Sequence, residues 1–178
     1  MNLYEYIPKK SNKKAIGVAI ILLALAVGVF IYTLIFPDMP YRWGPQLIAI
    51  ISFVGFVFIM SRYVFKKFIY AIAKNDEGEL DLTITEVTNA GKKKITVCRV
   101  SISNIEESHL LDCTVAENQQ KLNDIKKNAK SSGRKIFDYC PDINPSEVCA
   151  LVGEECGDKY LVIFCPDDVI WSYLKKES

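Results

Sequence analysis

The stretch Val100 to Cys113, VSISNIEESHLLDC, gathers His109, the one histidine of the chain, beside the carboxylates Glu106 and Glu107 and the thiol Cys113. Histidine is the side chain whose unperturbed charge changes near neutral pH. A cysteine hydrolase would need a thiol, a base and an orienting group brought together. These fourteen residues hold the types without the pattern. Adjacent carboxylates on a strand face opposite ways, and no glycine-rich turn or helix start follows a cysteine to activate it. Nine glycines are scattered singly, so no phosphate cradle is written into the chain. A solvated strand end accounts for Glu106, Glu107 and His109, and the expectation is a protein that is not an enzyme and uses no cofactor.

Six cysteines, at 98, 113, 140, 149, 156 and 165, are the other reactive set. None forms a Cys-x-x-Cys pair. Convergence of Cys140, Cys149, Cys156 and Cys165 on a metal is left open as a minor alternative to having no metal site. Cys98 in an alternating pattern, with Cys149 and Cys165 in apolar runs, reads as small buried hydrophobes.

The elements that would carry these residues begin with two apolar runs. Ala15 to Phe36 is free of charge for 22 residues, about 33 Å as a helix, enough for a hydrocarbon core of roughly 30 Å. A signal peptide would have a shorter apolar region ending in small residues. Gln46 to Met60 is the second run, extendable from about Gly44 to Phe65 if Trp43 and Tyr41 anchor one interface and Arg62 snorkels at the other. PDMPYRWGP between them reads as a tight turn, so the two spans form a hairpin. Neither run contains an ionisable side chain, which argues against an ion pathway. Ala15/Ala19 and Ala24/Gly28 are small-xxx-small pairs that permit close helix packing.

Lys9, Lys10, Lys13 and Lys14 precede the first span, and Arg62, Lys66, Lys67 and Lys74 follow the second, against Arg42 alone in the turn. The positive-inside bias then puts both termini in the cytoplasm of a two-pass, inner-membrane protein. Tyr4, Tyr6, Tyr63 and Tyr70 would mark the inner boundary, and Tyr32, Tyr41 and Trp43 the outer. Cytoplasmic placement argues against structural disulfides. Phe65, Phe68, Ile69 and Ile72 recur at helical spacing and predict an amphipathic extension of the second helix to Lys74.

Beyond residue 74 the balance turns acidic, with 13 of the 22 basic and 19 of the 21 acidic residues. That argues against a nucleic-acid partner, which would favour a basic soluble face. Leu80, Leu82 and Ile84 alternate with Asp81, Thr83 and Thr85, a half-buried strand. TNAGKKK is a turn with Gly91 available for positive φ. ITVCRVSIS, KIFDYC, SEVCALVG and KYLVIFC read as further strands, with Ser101 and Ser103 opposite the face of Cys98, Val100 and Ile102. A closing helix starts at Pro166, carries Asp167 and Asp168 at its positive end and Lys175–Lys176 at its negative end, and shows Ile170, Tyr173 and Leu174 as its stripe. Ala116 to Lys135 is polar and basic, and a surface helix or a mobile loop are both open there.

The expected fold is a two-helix transmembrane hairpin followed by a small β-rich (α+β) domain. Its divisions are a basic N-terminus at 1–14, spans at 15–36 and 46–74 around a 37–45 turn, and a cytoplasmic domain at 75–178. Strands first, one closing helix last and a membrane hairpin in front resemble the membrane-associated bacterial pleckstrin-homology-like domains. The residues that carry the likeness are Val100-Ser101-Ile102-Ser103-Asn104-Ile105 and Pro166-Asp167-Asp168-Val169-Ile170, within Glu79 to Lys176. The polar insert at 116–135 departs from it. The resemblance implies a PH-like, non-catalytic module that binds a protein partner or itself, and it transfers no ligand residues. Two alternatives stand beside it: an anionic-lipid surface sensor using Lys66, Lys67, Lys74, Lys126, Lys127 and Lys130, and a cysteine-based metal or redox sensor or enzyme.

Overall fold

The computed structural model describes residues 2–38, 41, 43–88 and 93–175. The chain divides into two units, one of Ser11–Lys66 and one that joins Met1–Lys10 to Lys67–Ser178.

The first unit is the helical hairpin. Helix α1 spans Lys13–Ile35, and α2 spans Trp43–Ile59, continued by a wider π-type turn over Met60–Phe65. Lys13–Ile35 and Trp43–Phe65 are each 23 residues, long and apolar enough to cross a membrane by length and composition. Their mutual contact is made of small side chains. Ala15, Ala19, Ala26 and Thr33 are buried on α1, and Ala49 and Ser52 on α2. The spacing 15, 19, 26, 33 is one stripe of a helix, and small residues there let two backbones approach closely. Thr33 satisfies its hydroxyl on its own helix, donating from Oγ1 to Phe30 O at 2.8 Å. Ala15/Ala19 thus faces α2, whereas Ala24 and Gly28 are exposed. Met39, Pro40 and Arg42 of the connecting turn lie outside the described residues.

The second unit holds two four-stranded sheets. Strand β1 (Asn2–Tyr6) precedes the hairpin, and β2 (Lys67–Lys74), β3 (Leu80–Thr88) and β4 (Lys93–Ser101) follow it. They form one antiparallel sheet in the order β1-β2-β3-β4. Residues 67–74 are therefore a strand, which corrects the expected amphipathic helix. Phe68, Tyr70 and Ile72 alternate into the core, at 2%, 0% and 0% exposure. The same residues fit a helical stripe only together with Phe65, which is exposed at the end of α2. Lys66 takes extended dihedrals and ends the helix. Tyr6 pairs with Tyr70 and Tyr4 with Ile72, so the first residues are a strand of the domain. Tyr4, Tyr6 and Tyr70 pack in its core and are not interfacial anchors. The expected turn at Gly91 falls outside the described residues.

A single 3₁₀ turn, Ile102–Asn104, carries the chain to the second sheet. Its strands are β5 (Ile105–Asp112), β6 (Lys135–Asp138), β7 (Glu147–Glu155) and β8 (Asp158–Phe164), ordered β5-β7-β8-β6 with β6 parallel to β8. Helix α3 (Ala116–Ser131) fills the connection from β5 to β6, which settles the open alternative at 116–135 as a helix. Its thin stripe of Leu122, Ile125 and Ala129 is enough, because it covers only Val148, Ala150, Leu161 and Ile163 on the outer face of β7 and β8. The inner faces of both sheets meet in the main core: Tyr70, Ile72, Leu82 and Ile84 oppose Cys149, Leu151, Val162 and Phe164. Strands β7 and β8 are thus covered on both sides, which explains why VCALV and YLVIF are unbroken apolar runs.

Helix α4 (Asp168–Leu174) closes the core with Ile170 and Leu174. Its N-cap is Asp167, whose Oδ1 accepts from Ile170 N at 2.9 Å, so Pro166 lies one residue before the cap rather than inside the helix. Tyr173 is exposed and Trp171 takes its expected place against the core. Lys176 lies outside the described residues.

Candidate interaction surfaces

Strand β5 is an edge strand, with β7 on one side and a groove on the other. Its carrier residues begin where Gly153 lets the sheets close up: Tyr160 Oη donates to Asn104 O at 3.5 Å beside it. His109 pairs with Ala150 across the ladder, and its Nε2 is 3.1 Å from Glu107 Oε2 with both side chains largely exposed. Glu106 is engaged elsewhere, by Arg134 at 2.9 Å, while Arg134 also donates to Gly153 O at 3.0 Å. Cys113 approaches Leu111 O, its thiol raised first by burial and then by the neighbouring Cys165. Of the four groups that could do chemistry in this stretch, His109 and Glu107 pair with each other, while Glu106 and Cys113 make their contacts elsewhere. Ser101 is a correction of degree: it lies opposite Val100 as expected, yet it is buried, bonded to Ser103 at 3.0 Å and to Glu79 at 3.3 Å.

The groove along β5 has a volume of about 540 Å³ and runs between α3 and α4. His109, Lys121, Asp124 and Asn128 supply its polar lining, and Ile125 and Trp171 its apolar lining. The start of α3 is fixed against β5 by Asp112, whose Oδ1 accepts from Thr114 N at 2.8 Å and Thr114 Oγ1 at 2.6 Å. Those two bonds hold the Asp112 carboxyl below the usual carboxylate range. A sheet edge beside two helices is the kind of surface on which an extended segment docks.

A second groove, of about 360 Å³, lies between β4 and β6, each an edge strand of its sheet. Cys98, Phe137, Tyr139 and Tyr160 line it, with Lys135 and Asp158 at its rim joined at 3.0 Å. Tyr139 Oη donates to Val97 O at 3.1 Å and Tyr70 Oη to Tyr139 O at 2.9 Å, so this groove is already bridged within the unit. Burial pushes the Cys98 thiol up to about 11 and the Tyr160 phenol up to about 12.

The four cysteines named as metal candidates do not converge. Cys156 is exposed in the β7–β8 turn, Cys149 faces the main core, and Cys140 and Cys165 lie under α3. Among the described residues no three His, Cys, Asp or Glu side chains come together to hold a metal ion. The lysines named for lipid contact also separate. Lys66 caps α2 and Lys67 opens β2, but Lys74 ends that strand, about 23 Å further along at roughly 3.3 Å per residue. Lys126 pairs with Asp138 at 3.8 Å on α3, the helix that also carries Lys127 and Lys130.

Two contacts had no sequence signal: the Tyr4 phenol donates to Asp167 Oδ2, and a pocket of about 200 Å³ lined by Ile7, Pro8, Lys10, Lys67, Phe68 and Pro141 opens where β1 ends and β2 begins. The hydrogen bond to Asp167 raises the Tyr4 phenol. Both depend on β1 entering the sheet. No known protein family matches the chain, and no curated protein or solved structure is significantly similar to it.

Proposed function

We propose that this protein is a two-pass membrane protein that displays its sheet unit in the cytoplasm as a PH-like, non-catalytic module for binding a protein partner. The observation that carries the reading is the pairing of β1 with β2 across the whole hairpin. Strands that flank two apolar 23-residue helices share one sheet, which supports a topology with both ends of the hairpin on one side of the bilayer. The lysines at both ends, Lys9, Lys10, Lys13, Lys14, Lys66 and Lys67, favour the cytoplasmic side. Six free cysteines suit the same compartment. The PH-like likeness is supported by the order of an antiparallel meander, a second sheet and a closing helix, with α3 and β6 as the departure.

The β5 groove is the surface we assign to the partner, because β5 ends its sheet and the groove lining mixes apolar and polar groups. A photo-crosslinking residue at Lys121 or Asn128 should trap a discrete partner or a second copy of the chain, while the same residue at Thr85 should not. Equal labelling from all three positions would remove the assignment.

The pocket at Lys10 and Lys67 favours a second reading, an anionic headgroup held at the root of the sheet unit. Thermal unfolding in nanodiscs with and without phosphatidylglycerol tests it. A stabilisation by the anionic lipid that Lys67→Ala abolishes supports it, and identical midpoints reject it.

A further inference from the structure

The chain contains one tetrapeptide pattern twice: Tyr139-Cys140-Pro141-Asp142 and Phe164-Cys165-Pro166-Asp167. The fold lays the two copies side by side. Parallel pairing of β6 with β8 sets Phe137 opposite Val162 and Asp138 opposite Ile163, and Tyr139 N donates to Ile163 O at 2.8 Å beyond the strand ends. The same register brings Cys140 opposite Cys165. Both pack with the cluster under α3, Cys140 buried and Cys165 partly open, and the neighbouring Cys165 helps to raise the Cys140 thiol. Adjacent strands run about 4.8 Å apart, inside the Cα separation of roughly 4.4–6.8 Å that a disulfide spans. Pro141 and Pro166 follow immediately; lacking an N–H, they end the ladder and free the two cysteines from further strand pairing.

We propose that Cys140 and Cys165 are a peroxide-responsive dithiol that closes to an intramolecular disulfide. Cys165, the more open of the pair, is the sulfur that reacts first. Its thiolate attacks one peroxide oxygen, the O–O bond breaks, and Cys165 becomes a sulfenic acid while hydroxide leaves and takes up a proton as water. The Cys140 sulfur then attacks the Cys165 sulfur, its proton departs with the sulfenic hydroxyl as a second water, and the S–S bond forms. Two thiols and one hydrogen peroxide give one disulfide and two waters, with two electrons passing from sulfur to oxygen. A thiol reductant reverses the step by exchange. The bond joins the connection that starts at Cys140 to the head of α4, where Asp167 both caps the helix and receives the Tyr4 hydroxyl. This inference goes beyond the partner-binding reading and does not depend on it.

The test uses the full-length protein in detergent micelles, treated with hydrogen peroxide, blocked with N-ethylmaleimide under denaturing conditions and mapped by mass spectrometry without reductant. The expected result is a Cys140–Cys165 linked peptide, the loss of two of the six alkylatable thiols, and their return after dithiothreitol. Cys165→Ser should abolish the link and Cys156→Ser should leave it intact. Peroxide consumption by Cys156 or Cys98 with both Cys140 and Cys165 still alkylated would overturn the proposal, as would a link from Cys165 to Cys113. The wild-type map decides between these outcomes even if a variant at buried Cys140 does not fold.

Discussion

Gly153 has no room for a side chain. A Cβ there would lie 2.7 Å from both Asn104 O and Tyr160 Cζ, at the point where the 3₁₀ turn passes from one sheet to the other. Gly153→Ala should destabilise the sheet unit by about 1–3 kcal/mol, the usual range for overpacking, read as a lowered thermal midpoint in detergent. Asp112 gives a pH-dependent prediction. Its carboxyl is lowered by the Thr114 hydroxyl and amide, so the stability it contributes is present above the unfolded value of about 4 and is lost as pH falls through the lower folded value. Asp112→Asn keeps the acceptor and removes the charge. Its unfolding midpoint should therefore fall below wild type at pH 7, and the gap should close as the pH drops below about 4. His109 shows what residue types alone convey. Its acidic neighbours suggested a solvated strand end, whereas His109 lies half-exposed in the middle of β5; the engagement of Glu106 by Arg134, 28 positions away, had no local signal.

At the scale of elements, the helical hairpin makes a clean comparison. Ala19 is buried against α2 and Ala24 is exposed on the opposite side of α1. Ala19→Leu should cost about 1–3 kcal/mol in hairpin stability, while Ala24→Leu should change it by less than about 0.5 kcal/mol, measured by denaturant titration of helical signal in mixed micelles. Both helices were legible because their signal is local: 22 uncharged residues from Ala15 to Phe36 and a second, 15-residue uncharged run from Gln46 to Met60. The alternation of Leu80, Leu82 and Ile84 was legible for the same reason, as were the apolar runs of β7 and β8. Residues 67–74 were misread because FIYAIA satisfies two periods at once. Phe68, Ile69 and Ile72 fit a helix, and Phe68, Tyr70 and Ile72 fit a strand. What decides between them is β1, whose pairing partners lie more than 60 positions away. Helix α3 was undecided because its stripe is narrow, and only the patch on β7 and β8 shows that a narrow stripe suffices. The juxtaposed Cys-Pro-Asp segments depend on the parallel register of β6 and β8, which no local pattern encodes.

At the scale of the whole molecule, the sheet unit is discontinuous in sequence. Residues 75–178 lack β1 and β2, and with them Phe68, Tyr70 and Ile72 of the main core. That fragment should be unfolded or aggregated. A chain in which residues 2–10 are joined to 67–178 by a short Gly/Ser linker should instead be soluble and unfold cooperatively, since the ends of β1 and β2 are neighbours in an antiparallel pair. Circular dichroism and size exclusion of the two proteins check this; a folded 75–178 fragment would show that β1 and β2 are dispensable. The pairing also bears on the proposed membrane topology. Green fluorescent protein and alkaline phosphatase, each fused before residue 1, after residue 178 and within the 37–42 turn, measure it directly. Fluorescence without phosphatase activity is expected at both termini, and phosphatase activity in the turn. Termini on opposite sides of the membrane, or phosphatase activity at either end, would contradict it.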